Sequence, residues 1–314
     1  QGITVIIVTH EHDIAAMTRE KPALEPLLSA FGQLQATQAI CRGNITAPDV
    51  SSVAVDASLL NKGVPLLAQA ATFQIDYHLR DVAAVLLPVM AKAFPALAET
   101  IATLRLHLAD EEFLGRCASV MRELGPEGSS QPVEALAREC GVSPEVLGYL
   151  LQCLGKPALE ATAAALAPLL GEVPWTFWNK GNCPICGAMP AMSVLELGPQ
   201  EPTEYLKNIS AQRWLCCSAC AHTWRFSRTT CPACGQDTQN EREYFHVEGQ
   251  NLERVELCAH CQHYMLTMDI RDRPTPLDHR LAPVGLAHLD LLARQRGFEP
   301  LVAQPWNQMT PAMS

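Results

Sequence analysis

Apolar residues recur at helical spacing through the first half of the chain. From residue 22 to about residue 40, a leucine or phenylalanine returns every three or four positions, as at Leu24, Leu28 and Phe31. This spacing predicts an amphipathic helix that begins near Pro22, because proline is tolerated in a first helical turn. After a polar loop that ends near Asn61, helices are predicted over four further ranges: about 64–124, 131–140, 144–154 and 157–170.

Local signals mark where these elements begin and end. Ser143 precedes Pro144 and Glu145, which is typical of a helix N-cap followed by a first turn. Residues 125–130 are rich in glycine and serine and predict a break between helices. Residues 1–19 differ from the rest, since a short apolar run followed by polar residues predicts one buried strand and a turn.

The pattern changes near residues 171–181, where the Ala-rich helical stretch ends. Beyond it, residues 213–215 and 243–247 predict strands of β-hairpins, and leucines at helical spacing predict a last helix from about Pro283 to Gly297. We therefore predict an α+β fold class with five segments: an atypical N-terminal segment at 1–19, a mostly α-helical domain at 20–172, a first four-cysteine ribbon module at 173–225, a second at 226–273, and a C-terminal helix and tail at 274–314.

Four C-x-x-C pairs follow one another in the second half of the chain. Two residues between the cysteines let a tight turn direct both sulfurs at one cation, so each pair supplies half of a tetrahedral site. Joining consecutive pairs predicts two metal sites. The predicted ligands are Cys183, Cys186, Cys217 and Cys220 at site 1, and Cys231, Cys234, Cys258 and Cys261 at site 2.

The first and third pairs have the fuller form C-P-x-C-G. Pro184 and Pro232 pre-set a turn, and Gly187 and Gly235 can adopt the positive φ that turns backbone N–H groups towards the sulfurs. Residues 221–230 alone separate the second pair from the third, so the two modules are expected to pack side by side.

Two metal ions, Fe or Zn, are predicted, each bound by four cysteines. An all-sulfur tetrahedral site suits zinc and a single rubredoxin-type iron equally well, so the metal stays open. Cys216 lies beside Cys217 and could compete with it, although C-x-x-C spacing favours Cys217. A thioredoxin-like redox pair and disulfides are the alternatives. Four nearby histidines are expected at the surface or in outer-shell contacts: His222, His246, His260 and His263.

The charge argues against nucleic acid as a partner. The formal net charge is -10, and residues 172–271 contain eight Lys and Arg against eleven Asp and Glu. A basic stripe suited to phosphates is absent. Residues 133–151 have the outline of a helix-turn-helix, but their second helix offers few base-reading side chains, so helix packing is favoured. The longest apolar run, at 82–91, is too short to cross a bilayer, so no membrane insertion is predicted.

An enzyme is not predicted either. Four thiolates leave a metal no open position for water or substrate. His10 has the place of the switch histidine of ABC-type ATPases, but the phosphate-binding G-x-x-x-x-G-K-[ST] loop is missing from the sequence.

Three stretches carry a family resemblance: CPICGAMP at 183–190, RWLCCSACAHTWRFSRTTCPAC at 213–234, and ELCAHCQHYMLTMDI at 256–270. They resemble the formate dehydrogenase accessory protein family, FdhE. The second stretch is the most specific, because a C-x-x-C pair, a tryptophan, a basic-aromatic segment and a further pair occur together. The last helix, at 287–298, is also similar to the closing segment of that family.

The resemblance implies a cytoplasmic accessory factor, not an enzyme. Such a factor binds the catalytic subunit of a molybdenum- or tungsten-dependent formate dehydrogenase and supports its assembly or activation. It also implies a helical domain followed by rubredoxin-like modules that bind iron, with the eight cysteines as ligands. The alternatives are a rubredoxin-like electron or sulfur transfer protein and, less favoured, a nucleic-acid-binding zinc ribbon. An exposed set of aromatic residues is one candidate contact surface, although ribbon core is the favoured interpretation: Trp214, Trp224, Phe226 and Tyr264.

Overall fold

The structure, a computed structural model, describes seven stretches of the chain: residues 14–70, 76–123, 131–171, 175–197, 211–238, 241–271 and 277–307. The chain divides into two units. The first comprises Gln1–Val55 and Leu66–Gly171, and the second Asp56–Pro65 and Glu172–Ser314. The first unit is helical, whereas the second holds the sheet, both four-cysteine groups and the closing helix. The predicted α+β fold class is therefore confirmed.

The helical unit follows the periodicity of the sequence closely. Residues 14–20 are helical and are called α1. The other helices of this unit are α2 (Glu25–Asn44), α4 (Leu66–Gln69), α5 (Asp76–Ala93), α6 (Ala98–His107), α7 (Glu111–Glu123), α8 (Gln131–Cys140) and α9 (Pro144–Leu170). Two short 3-10 helices, Pro22–Leu24 and Pro95–Leu97, precede α2 and α6.

Apolar side chains at helical spacing form the core of this unit. Leu28, Phe31 and Leu34 on α2 are buried, and the Phe31 ring lies 5.1 Å from the Phe94 ring, centroid to centroid. The helix α2 packs against α5 and α9. Burial of each such side chain contributes on the order of 1.5–3 kcal/mol, so this face of α2 holds the bundle together.

Two sequence predictions in this unit need correction. The predicted helices 144–154 and 157–170 are one continuous helix, α9, with Pro157 inside it. Proline has no N–H, so α9 lacks one backbone hydrogen bond at this position. The side chain of Gln38 donates a hydrogen bond to the carbonyl of Cys153 instead. Residues 14–19 were predicted as a turn, but they are helical. The predicted strand at 3–8 and the predicted break at 125–130 lie outside the described residues.

Other helix signals are confirmed. The side chain of Ser143 caps α9 by accepting a hydrogen bond from the backbone N–H of Val146. The helix α8 has the predicted bounds. Leu147 and Leu150 on α9 are fully buried. The pair α8 and α9 thus packs within the bundle. The sequence favours this role over that of a DNA-binding helix-turn-helix.

The second unit begins with α3 (Ala57–Asn61), whose first turn is capped by the Asp56 carboxylate. A 3-10 helix, Trp175–Phe177, precedes the strands. These are β1 (Pro190–Leu197), β2 (Ala211–Cys217), β3 (Thr223–Phe226), β4 (Arg242–Phe245), β5 (Glu253–Cys258), β6 (His263–Asp269) and β7 (Glu299–Pro300). The chain closes with α10 (Ala282–Gly285), α11 (Ala287–Gln295) and a 3-10 helix, Pro305–Asn307.

Within the described residues, the seven strands form one sheet in the order β3-β2-β1-β6-β5-β4, with β7 paired to β6. Each half of this order is an antiparallel meander of three strands. The halves join through a parallel pair, in which Met192 of β1 is opposite Leu266 of β6. The two modules therefore share one continuous sheet, which is closer than the predicted side-by-side packing.

Helices α10 and α11 cover one face of this sheet. Alternate strand residues such as Val194, Val255 and Leu266 point into a buried cluster with Leu286 and Leu289. This alternation is the period of two expected of strands with one buried face. The opposite face carries the intervening residues, including Arg213 and Glu256.

Candidate metal centres

Site 1 lies where the loop before β1 meets the end of β2. The structure brings together the four sulfurs predicted for it: Cys183, Cys186, Cys217 and Cys220. The Cys183 and Cys220 sulfurs are 3.6 Å apart, and those of Cys186 and Cys217 are 3.4 Å apart. Cys186 is partly exposed and the other three are buried.

Site 2 repeats this arrangement at the loop before β4 and the end of β5. The sulfurs of Cys231 and Cys261 are 3.8 Å apart, as are those of Cys234 and Cys258. In each group all four sulfurs lie within 4.8 Å of one another. Site 2 is the more open of the two, because Cys234 is exposed and Cys261 is partly exposed.

These separations fit a metal ion. Zinc–sulfur bonds of about 2.3 Å in a tetrahedron place the sulfurs about 3.8 Å apart. Both groups could hold an ion after small shifts of the sulfurs, and iron or zinc would suit the four-sulfur set equally. With four protein ligands, neither site would offer a bound ion an open position.

The residue after each of the four C-x-x-C pairs has a positive φ. Gly187 and Gly235 adopt the predicted positive φ, at 83° and 73°. The equivalent positions of the other two turns are Ala221 and Gln262, each at φ 57°. Residue type carries no signal at these two positions, since neither alanine nor glutamine favours the left-handed region. Only their place directly after the second cysteine of each pair could have indicated it.

Local hydrogen bonds hold each turn in this shape. The N–H of Gly187 bonds the carbonyl of Cys183, and the N–H of Gly235 bonds that of Cys231. The N–H of Cys220 points at the Cys217 sulfur, 3.4 Å away. N–H groups directed at sulfur stabilise the negative charge that four thiolates place around a divalent ion.

The thiols of each site differ in pKa. Burial raises the pKa of Cys183 well above that of a free thiol. Burial acts in the same direction at Cys217, but hydrogen bonds from Cys183, Cys186 and Cys220 outweigh it and hold the pKa of Cys217 well below its usual value. In site 2, burial at Cys258 is likewise outweighed by hydrogen bonds, first from the N–H of Cys261, so the pKa of Cys258 is lowered. The pKa of the first cysteine of the second pair is thus lowered in both sites.

A short strap before Cys183 connects the two sites. The indole N–H of Trp178 donates to the carbonyl of Asn182, and that of Trp224 donates to the carbonyl of Lys180. Gly181 lies so close to Pro232, inside the third C-x-x-C turn, that an added Cβ would meet the Pro232 carbonyl oxygen at 1.8 Å. Glycine is required here by the close approach of two backbones, which the sequence did not reveal.

The remaining cysteines lie apart from both groups. Cys216 is buried in the sheet core beside α11, and its burial raises the pKa of its thiol. Cys41, Cys117, Cys140 and Cys153 are buried in the helical unit, as expected of small core residues.

The histidines stand outside the sulfur groups. Within the described part of the chain, neither four-cysteine group includes a histidine. A ring nitrogen of His263 lies 2.7 Å from the backbone carbonyl of Cys261, which is an outer-shell position, and His260 and His246 are exposed.

The aromatic residues of the modules are core, as favoured from the sequence. Trp224 and Phe226 are each 5% exposed and Tyr264 is 2% exposed. Trp214 packs against the buried cluster of the sheet. Trp224, Phe226 and Tyr264 stabilise the modules and are too buried to act as anchors for a partner.

Two curated relatives each match about half of this chain or more. A Protein FdhE homolog from Aquifex aeolicus is 26% identical over 161 residues, which are 51% of this chain and 52% of that protein. A Protein FdhE homolog from Pectobacterium carotovorum is 23% identical over 219 residues, 63% of this chain and 66% of that protein. The chain is therefore similar in sequence to FdhE proteins. No family model matches it.

A solved structure extends this likeness to the fold. The crystal structure of the FdhE protein from Pseudomonas aeruginosa matches with a TM-score of 0.56 and 19% identity, covering 94% of this chain and 92% of that one. By sequence, however, the chain spans only about half to two thirds of the length of these two FdhE relatives.

Proposed function

We propose that this chain is an accessory factor for a molybdenum- or tungsten-dependent formate dehydrogenase. In this proposal it binds the catalytic subunit in the cytoplasm and supports its assembly or activation. The observation that carries the proposal is the pair of four-sulfur groups on one continuous sheet, in a chain that is similar in sequence to FdhE proteins.

The chemistry of the sites favours a binding protein over an enzyme. Four cysteines around one ion leave no position at which water or a substrate could be activated. Cys183 and Cys231 are buried and lie directly beside the strap that joins the sites. Two such ions would therefore act first as cross-links that hold the sheet in a rigid shape for a partner.

The thiols also support a reducing compartment. All thirteen cysteines lie within the described residues and are free, and Cys234 is exposed. Such thiols persist where glutathione keeps them reduced, which supports the cytoplasm as the place of action. No helix of the described residues has the length and hydropathy needed to span a membrane.

The proposal is tested by capture of the catalytic subunit, which we call the client. The full chain, carrying an affinity tag, is expected to co-purify with the catalytic subunit of the formate dehydrogenase from the same organism. Cells that lack the chain are expected to lose formate dehydrogenase activity. Cys183→Ser, which removes a buried sulfur from site 1, is expected to weaken both capture and activity.

Cys216→Ser is the matched control, because it changes a buried thiol next to Cys217 that belongs to neither group. It should retain full metal content. If Cys183→Ser lost its ion, stayed folded by circular dichroism and still captured the client, the sites would not be needed for recognition. Normal enzyme activity without the chain would refute the accessory role.

Electron or sulfur transfer is the second candidate, and the exposure of Cys234 favours it. An ion at site 2 would lie near solvent, where a redox partner could approach. Visible absorption separates the candidates, because ferric thiolate is coloured and zinc thiolate is not. A colourless protein that supports full client activity would exclude transfer through iron.

A further inference from the structure

The face of the sheet opposite α11 contains a cleft of about 300 Å³. Its floor is formed by side chains of β1, β2 and β5, and its rim by β4 and the loop after β3. We call it the arginine cleft, because four arginines line it: Arg213, Arg228, Arg242 and Arg254. None of the metal ligands lines it.

A buried ion network fixes the floor of this cleft. Arg213, only 1% exposed, donates to Glu256 at 2.7 Å, and Arg242 donates to the same carboxylate oxygen at 2.6 Å. The other Glu256 oxygen accepts from the hydroxyl of Thr267. Glu256 is therefore fully engaged, and its single charge is shared by two guanidinium groups.

The cleft keeps a positive charge after these pairs are formed. Arg254 shares Asp269 with Arg271, and the Arg254 Nε atom is buried without a hydrogen-bond partner among the described residues. The Arg228 side chain is exposed and makes no hydrogen bond or ion pair within the described part of the chain. Glu243 at the rim offsets one charge. The lining thus carries four positive and two negative charges.

Apolar groups lie next to these cations. Tyr244 is 67% exposed at the rim, and the Arg254 guanidinium lies 5.9 Å from its ring centre. Leu195 lies in the floor, and Leu197, 44% exposed, is two residues further along the same strand face. A ligand here would meet fixed guanidinium groups and apolar surface side by side.

We propose that the arginine cleft binds a short acidic peptide segment of a partner protein through its carboxylates. Planar guanidinium groups bind carboxylates in a directed way, and exposed Tyr and Leu side chains suit the apolar residues of such a segment. A long polyanion is disfavoured, because the cleft has a local excess of about two positive charges in a chain whose formal net charge is -10.

The proposal is tested with the full chain and a fluorescent peptide, acetyl-Glu-Leu-Asp-Phe-Glu-amide, at low salt. Its counterpart with Gln and Asn in place of the acids is the charge control, and inorganic phosphate is the competitor. The acidic peptide is expected to bind at least about tenfold more tightly than its counterpart, and less tightly as salt is raised, as for other screened charge pairs.

Arg228→Gln is the key variant, because this exposed side chain supports no described contact and its loss should leave the fold intact. It is expected to weaken peptide binding by about three- to tenfold, the range of one exposed charge-assisted contact. Arg105→Gln, an exposed arginine of α6, is the matched control and should bind like the unchanged chain.

Three outcomes would overturn the proposal. The first is no preference of the chain for the acidic peptide over its counterpart. The second is equal loss of binding in Arg228→Gln and Arg105→Gln, which would indicate a non-specific charge effect. The third is binding of phosphate without binding of the peptide, which would make the cleft an inorganic anion site.

Discussion

The side chain of Gln38 on α2 donates a 2.9 Å hydrogen bond to the backbone carbonyl of Cys153 on α9. Pro157, four residues further along α9, has no N–H with which to bond that carbonyl. Both partners are buried, so water cannot replace the missing donor. Gln38 therefore supplies from another helix the bond that proline removes, and α9 continues without a break.

Replacing Gln38 by methionine should destabilise the chain. Methionine has a similar size but cannot donate, so the Cys153 carbonyl would be buried without a partner, at a cost of about 1–3 kcal/mol. Chemical denaturation of the full chain measures this loss as a decrease in the free energy of unfolding.

A double-mutant cycle identifies the cause of that loss. Pro157→Ala restores an N–H to α9, so in this background Gln38→Met should cost less than half as much. If Gln38→Met cost the same with and without Pro157, the effect would come from packing and not from the proline.

Gly181→Ala should disrupt the connection between the two sites. The added methyl group would lie 1.8 Å from the Pro232 carbonyl oxygen, a distance that only movement of one backbone can relieve. We expect a loss of more than about 2 kcal/mol of stability, as is usual for overpacked sites, together with less bound metal per chain. Thermal unfolding and elemental analysis measure the two effects.

The control for this change is Gly148→Ala in α9. The nearest atom to its added Cβ is Val133 Cγ1 at 3.8 Å, an ordinary contact. Alanine should stabilise a helix interior by about 0.5–1 kcal/mol relative to glycine. Equal behaviour of the two variants would show that the approach to Pro232 is not tight in solution.

Ala221→Gly and Gly235→Ala should have opposite effects on stability. Both residues have positive φ directly after a C-x-x-C pair, at 57° and 73°. Glycine relieves the left-handed strain at Ala221, a gain of about 0.5–1 kcal/mol after its entropy is subtracted. Alanine introduces that strain at Gly235, where nothing lies within 4 Å, so the expected loss of about 1 kcal/mol is conformational alone. Denaturation of the metal-loaded chain measures both, and a change of the same sign in the two variants would contradict this explanation.

Sequence patterns predicted the elements of this fold better than their connections. The bounds of α8 and the Ser143 cap follow from local spacing and propensity, and the structure has both. The continuity of α9 through Pro157 depends on Gln38, which is more than a hundred residues away, so no local pattern could indicate it. The parallel pairing of β1 with β6, which makes two modules one sheet, is non-local in the same way.

In the candidate sites, too, local features could be predicted from the sequence, whereas contacts between distant segments could not. The grouping of the eight sulfurs followed from spacing, because a C-x-x-C turn determines its own geometry. The approach of Gly181 to Pro232 and the shared Glu256 between Arg213 and Arg242 arise only when distant segments meet. Burial of Trp224 and Tyr264 likewise depends on neighbours that periodicity cannot specify.

Asp290 should make stability depend on pH. This residue of α11 is 2% exposed and accepts a hydrogen bond from the Tyr264 hydroxyl at 2.7 Å. Burial raises the pKa of Asp290 to about 7, against about 3.9 in an unfolded chain. Between these values the folded chain binds more protons than the unfolded one, so stability should fall as pH rises from about 4 to about 7.

Asp290→Asn removes this dependence, because asparagine is a neutral substitute for the protonated acid. The difference in unfolding free energy between variant and unchanged chain should grow in favour of the variant from pH 4 to pH 7, by up to about 4 kcal/mol. Asp81→Asn, an exposed acid of α5, is the control and should show no such trend. A constant difference across this range would mean that Asp290 is already charged in the folded chain.

The two metal centres should release their ions at different rates. Attack by a chelator or a thiol reagent requires access to a sulfur, and site 2 offers the exposed Cys234, whereas three of the four site 1 sulfurs are buried. For the zinc-loaded chain, we expect zinc to be released to a chromogenic chelator in two phases. The rate constant of the faster phase, from site 2, should be about tenfold or more above that of the slower phase, because a site 2 sulfur is accessible. Cys234→Ser should remove the fast phase and Cys183→Ser the slow one, which assigns each phase to its site. A single phase that neither variant alters selectively would contradict this assignment. It would mean that the two sites release their ions together, coupled through the contact between Gly181 and Pro232.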